Sequence, residues 1–186
     1  MAPALSLMII RWFLMTIKIT VEEIIKQLNL EPLPEEGGFF RRTYQSSERI
    51  PNGTLPRRHQ QDLAVGSAIY ALITAADFSA IHRLDTDEIY HFYNGDPLEM
   101  LLLHPDGSGE IFILGNDLQA GMRPQKVVAK NVWQGSRSIP GGEHGFSLIG
   151  TTMAPEFVWQ GFELGQQKSL SAQYPAFVEM IAALTR

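Results

Sequence analysis

Between residues 67 and 164 the chain alternates short apolar runs with clusters of turn formers. The runs are "SAIYALIT" (67–74), "FSAIHRL" (78–84), "EIYHFYN" (88–94), "LEMLLLH" (98–104), "EIFILG" (110–115), "QKVVA" (125–129), "VWQGSRS" (132–138), "FSLIGTTM" (146–153) and "FVWQGFEL" (157–164). Many are rich in β-branched and aromatic residues. The separators "AAD", "NGDP", "PDGSG", "IPGGEHG" and "APE" carry the Gly, Pro, Asn and Asp that turns require. "HPDGSG" between two apolar runs predicts a hairpin. Evenly spaced strands with Gly-rich turns predict a sandwich or barrel.

The two ends follow another period. Thr20 with Glu23 three residues on is a capping-box pattern, and Val21, Ile24, Ile25 and Leu28 fall on one helical face. "PLPEEGG" (32–38) ends this short helix, and "FFRRTYQS" (39–46) predicts a strand. Residues 46–62, "SSERIPNGTLPRRHQQD", are polar and broken by proline and "NG", which predicts a long mobile loop or lid. "PAFVEMIAALTR" (175–186) predicts a closing helix with Phe177, Met180, Ile181 and Leu184 on one stripe. The apolar start "ALSLMIIRWFLM" is interrupted by Arg11 and is too short to span a bilayer. Residues 1–19 read as an N-terminal extension, either sequence upstream of a start at Met15 or a docking segment. Residues 20–186 read as one domain.

Composition narrows the classes. Apolar residues are 45% and charged residues 19%, which is globular. The net charge is −5 and no basic cluster exceeds the pairs Arg41-Arg42 and Arg57-Arg58, which argues against nucleic acid. With no cysteine there is no disulfide, thiolate metal site or cysteine nucleophile, in keeping with a reducing, cytoplasmic setting.

The chemistry concentrates in "HRLDTDEIYHFYNG" (82–95). Strand alternation places Glu88, Tyr90 and Phe92 on one face and Ile89, His91 and Tyr93 on the other. His82 and Leu84 share a face of the preceding strand, so His82 and Glu88 can converge inside a barrel while His91 faces away. His82 is a candidate general base or metal ligand. Glu88 is a candidate metal ligand, orienting group or ligand contact, and an inward carboxylate needs a partner or a raised pKa. Tyr90 is a candidate acid opposite His82. Asp85 and Asp87 read as turn formers. Tyr44, Tyr70, Tyr90 and Trp133 are candidates for an aromatic pocket wall. Arg41 and Arg42 are candidates for holding an anionic group. Arg83 alternates away from His82. His59, His104 and His144 read as solvated.

These residues resemble the first cupin motif, two histidines one residue apart, then a glutamate, then a glycine. His82, Glu88 and Gly95 match, and Leu84 replaces the second histidine. Near "VVAKNVWQG" the second motif's Pro-x-Gly is absent, and Trp133 or Gln134 stands where its histidine falls. With "VWQG", "SLIGTTMAPEF", "FELG" and the closing helix, the chain resembles the uncharacterised cupin-5 branch over roughly residues 20–184. Ile81, Lys130-Asn131 and Glu156 depart from that branch's usual residues. The resemblance implies an all-β fold with flanking helices, a double-stranded β-helix or jelly-roll barrel, paired as a homodimer. It implies a small-molecule ligand, sugar-like or keto-acid-like, and no membrane or nucleic-acid partner. It does not imply a settled reaction. A metal-independent isomerase or epimerase using His82, similar to the nucleotide-sugar epimerase branch, is the leading expectation, with no cofactor. The alternatives are a cupin oxygenase holding one divalent metal ion through His82, Glu88 and Gln134, and a non-catalytic binding module.

Overall fold

A computed structural model of the chain describes residues 18–56 and 58–186. Of the expected N-terminal extension, residues 1–17 lie outside the described residues. In chain order the elements are helix α1 (Val21–Leu28) and strands β1 (Glu31–Pro32), β2 (Phe39–Gln45), β3 (Arg49–Ile50), β4 (Leu63–Ala64), β5 (Ser67–Thr74), β6 (Phe78–Leu84), β7 (Glu88–Gly95) and β8 (Leu98–Leu103). Strands β9 (Gly109–Leu114), β10 (Gln125–Val128), β11 (Trp133–Ser138), β12 (Phe146–Met153) and β13 (Phe162–Leu164) follow, then helices α2 (Gln167–Gln173) and α3 (Val178–Ala183).

The pairing defines the architecture. β9 lies on β8, β10 on β7, β11 on β6 and β12 on β5, each antiparallel. The chain is therefore one long hairpin turned at 104–108. It coils until β12 also meets β7 and β11 also meets β8. This is the double-stranded β-helix, or jelly roll. It closes as two facing sheets, ordered β1-β2-β5-β12-β7-β10 and β13-β6-β11-β8-β9, with β3-β4 as a separate ribbon.

Three apolar layers hold it. Between the sheets, Ala71, Ile73, Tyr90, Leu98, Met100, Leu102, Leu114 and Ile149 pack as the inner core. Outside the five-stranded sheet, Ile81, Leu101, Leu103 and Trp133 pack under Leu170, Tyr174, Met180, Ile181 and Leu184 of the C-terminal helices. Outside the six-stranded sheet, Ile24 and Leu30 cover Leu72 and Phe146. The capping box of α1 is formed in both directions: Thr20 Oγ1 accepts from the Glu23 backbone at 3.2 Å, and the Glu23 carboxylate accepts from the Thr20 backbone at 2.9 Å.

Three segments differ from the sequence pattern. Residues 157–164 are not one strand. Trp159–Gly161 form a 3₁₀ turn against the Asp85 carboxylate, and of this stretch only residues 162–164, β13, form a strand, which pairs with β6. The C-terminus holds two helices, because the polar segment "QKSLSAQ" folds as α2 around one buried leucine, Leu170. Residues 46–62 contain β3 and a 3₁₀ turn at Asn52–Thr54. Buried Glu156 fastens this region. Its carboxylate accepts from the Gln45 amide and from the Ala64 backbone at 2.6 Å, and lies 3.7 Å from Arg49. His59, expected in solvent, is buried there with Nδ1 at 3.9 Å from Asp85 Oδ2. Among the described residues no helix is long and apolar enough to cross a membrane.

Gly95 ends β7 with φ +94°, and a Cβ there would collide with the Phe146 carbonyl and ring. Both the backbone conformation and the close approach demand glycine. Gly95→Ala is expected to destabilise the protein by about 2–4 kcal/mol, measured by chemical denaturation. An unchanged midpoint would mean that the turn relaxes freely.

Candidate functional site

A bulge in β6 builds the site. Opposite β11, Gln134 pairs with His82 and Ser136 with Ser79, so β6 carries one extra residue between them. The bulge puts Ser79 and His82 on the same inner face, three residues apart. The Ala80 carbonyl accepts from His82 Nδ1 at 2.8 Å. That contact leaves His82 Nε2 as the lone-pair nitrogen, and the Gln134 amide donates to it at 3.2 Å. The same amide donates to Glu88 Oε2 at 2.7 Å. One primary amide thus holds an imidazole of the five-stranded sheet and a carboxylate of the six-stranded sheet.

Each member is buried, His82 at 2%, Gln134 at 1% and Glu88 at 7% exposure. Burial pushes the Glu88 carboxyl above its ordinary value of 4.5. His82 opposes that rise, the Glu36 charge adds to it, and hydrogen bonds from Thr151 and Gln134 oppose it. Phe162 of β13 stacks on the His82 ring, centroids 5.1 Å apart at 21°. Above this cluster opens a cavity of about 480 Å³. Glu36 and Leu33 border it on one side, Arg41, Arg42 and Phe40 of β2 on another, and Phe157 and Trp159 on a third.

Of the expected residues, His82, Glu88 and Gln134 come together, with Arg41 and Arg42 on the cavity wall. Register separates the arginines. Arg42 lies opposite Ile69, which packs on the inner core, whereas Arg41 lies opposite outward-facing Tyr70. The four expected wall aromatics are elsewhere. Tyr44 is exposed at 56%. Tyr70 packs towards α1, and Trp133 packs under the C-terminal helices with Arg83 over its ring at 4.5 Å. Tyr90 is in the inner core rather than opposite His82. Its hydroxyl bonds Glu88, and burial pushes its pKa well above the usual phenol value. Asp85 and Asp87 serve the β6–β7 turn, Asp87 accepting from the Lys130 backbone at 2.8 Å.

Sequence reasoning missed Glu36, Thr151, Phe40, Phe157 and Trp159. Glu36 was visible only as half of an acidic pair before two glycines, and it reaches the site because its Oε1 accepts from Ser79 at 2.6 Å. Trp159 was concealed by reading 157–164 as a continuous strand.

The model of the family described as "Cupin superfamily (DUF985)" matches residues 22–165. The chain belongs to this cupin family. A solved protein from Shewanella oneidensis is similar to this cupin at 34% identity, TM-score 0.79, covering 90% of this chain and 98% of the other. A hypothetical protein from Leishmania major is similar at 26% identity, TM-score 0.78, covering 90% of this chain and 99% of the other. No protein of curated function matches the chain.

Many cupins hold a metal, so the donor set of this cupin was weighed for one. His82, Glu88 and Gln134 adjoin each other, but Gln134 turns its amide nitrogen to the other two, and its Oε1 is buried without a partner. Among the described residues no three His, Cys, Asp or Glu side chains are grouped to hold a metal ion. As arranged, the set does not fit one, since an amide donates and cannot ligate through its nitrogen.

A raised folded pKa means that Glu88 holds its proton more tightly in the fold than in the unfolded chain. Its ionisation therefore costs stability, a loss absent below about pH 4.5 that grows as pH rises towards the folded pKa and levels off above it. Glu88→Gln, which keeps an acceptor for Gln134, is expected to gain stability over wild type as pH rises above the ordinary carboxyl value, in denaturant unfolding. A difference that does not vary with pH would contradict this.

Proposed function

We propose that this cupin binds a small polar molecule, on the scale of a sugar or a keto acid, in the barrel cavity, and that His82 transfers a proton there without a metal. The observation that supports this is the buried His82–Gln134–Glu88 chain at the floor of a cavity large enough for such a ligand. The Ala80 carbonyl fixes the His82 tautomer, so Nε2 carries the lone pair that a base needs, and to use it as a base a ligand must displace the Gln134 N–H that it accepts here. Glu88, whose burial favours its protonated form, is the second proton-handling group. The pair suits isomerase or epimerase chemistry, in which a proton leaves a carbon and returns. Tyr90 acts in this reading by hydrogen-bonding Glu88 from the core side.

The reading extends to a cytoplasmic homodimer that takes no nucleic acid. A net charge of −5 disfavours a phosphate backbone. On the partner side, Tyr93 and Val127 are exposed at 46% and 54% on the outer face of the six-stranded sheet, a face suited to a second copy.

The test is a thermal-shift screen of sugars, sugar nucleotides and keto acids, followed by proton exchange of each binding compound in deuterated water, read by NMR. Wild type is expected to incorporate deuterium at one carbon of the ligand, and His82→Gln to slow this by about 10²–10⁴-fold. Exchange that persists unchanged in His82→Gln would remove His82 as the base. Binding with no exchange in wild type would leave a binding module.

A further inference from the structure

Three carboxylates and two arginines line the cavity, with Glu31 on β1 next to the arginine-bearing strand. Glu36 and Glu88 flank His82 at the floor, while Arg41 and Arg42 lie on β2 at the wall. Glu36 Oε2 lies 4.0 Å from His82 Nε2. Among the described residues neither Glu36 nor Glu88 has a lysine or arginine within ion-pair distance. Glu88 is instead bonded by an amide, a hydroxyl and a phenol. Two neighbouring carboxylates without a fixed cation repel each other, as the effect of Glu36 on Glu88 records. The fully buried Gln134 Oε1, an acceptor with no donor, belongs to the same cluster. The negative charge of the floor is therefore that of Glu36, beside a buried carboxyl at Glu88, with no fixed cation opposite it.

The wall above it is aromatic. Trp159, exposed at 49%, meets Phe157 edge-on at 5.1 Å and Phe162 at 5.3 Å, and Phe162 in turn stacks on His82. Aromatic faces beside carboxylates attract an ammonium group, through the ring quadrupole and through Coulomb attraction in a poorly solvated site. A neutral sugar would leave the Glu36 carboxylate uncompensated, and an anion at the floor would be repelled by it.

We infer that the ligand of this cavity carries a cationic amino group that seats against Glu36, and an anionic group that meets Arg42: a small zwitterion of the amino-acid class. This rests on the proposed reading of the cavity as the ligand site and names the chemistry of what enters it.

The experiment is a thermal-shift and calorimetric panel near pH 7.5 on wild type, Glu36→Gln, Trp159→Ala and His82→Gln. The probes are the common amino acids, short ω-amino acids, matched dicarboxylates and simple sugars. Glu36→Gln keeps the oxygen that accepts from Ser79, so its fold is expected to hold, checked by its own melting curve. Amino-bearing zwitterions are expected to raise the melting temperature, with affinity at least about tenfold weaker in Glu36→Gln and in Trp159→Ala. Two results overturn the inference while sparing the cavity. One is stabilisation by sugars or dicarboxylates alone, lost in His82→Gln but intact in Glu36→Gln. The other is amine binding indifferent to both Glu36→Gln and Trp159→Ala. If no compound stabilises any form, both the inference and the ligand-site reading fall.

Discussion

The site depends on one primary amide. Gln134 reaches across the space between the sheets to bond Glu88, and donates at the same time to His82 on its own sheet. An amide has two N–H donors on one atom, and here both are spent inside the barrel. Neither acceptor can then choose another geometry cheaply, because each would be left buried and unbonded, at a cost of about 1–3 kcal/mol apiece. Three donors surround the Glu88 carboxyl, and burial still outweighs them and raises its pKa. Gln134, Thr151 and Tyr90 do for Glu88 what water does at a surface.

Around that bond the barrel is asymmetric. One end is filled by leucine, isoleucine and methionine from both sheets and is closed. At the other end the inner-facing positions turn polar, with Ser79, His82, Gln134, Glu88, Thr151 and Ser67 in place of aliphatic residues. The elements that cover this end come from outside the coiled hairpin. The segment after β1 brings Glu36, β2 brings Phe40 and Arg42, and the 3₁₀ turn before β13 brings Trp159. The scaffold supplies the polar floor and the appended segments supply the walls, a division that places recognition on the parts freest to vary.

Much of the fold was legible because alternation and turn chemistry agree. β5, β6 and β12 begin and end where the pattern predicts, and the "HPDGSG" turn joins β8 to β9. The spacing of His82 and Glu88 was legible for the same reason, since strand period decides which side chains share a face. The aromatic wall was not. β5 carries apolar residues on both faces, because α1 covers its sheet from outside, and β11 holds a single large apolar residue, so the pattern could not say which way Tyr70 or Trp133 points. Glu36 and Trp159 were hidden for another reason. Their approach to His82 is made by contacts between segments far apart in sequence, Glu36 with Ser79 and the 159–161 turn with Asp85, which no local window contains. The burial of His59 has the same origin, a loop tied down by Glu156 and packed beside Asp85.

The coiled hairpin also sets an order of assembly. β8 and β9 close only the loop 104–108, whereas β5 and β12 close the loop 75–145. The entropy lost on closing a chain loop rises with its length, so pairing is least costly at the 104–108 turn and grows dearer towards β5 and β12. The cavity is lined from that distant end, by Ser67, Ala68, Ile69, Thr151 and Met153, and from β2 beyond it. The part of the barrel that lines the cavity is thus the part whose closure costs most, and a molecule bound there would tie together the ends of the longest loop. Occupancy of the cavity and completion of the barrel are on this account one equilibrium, each drawing the other forward.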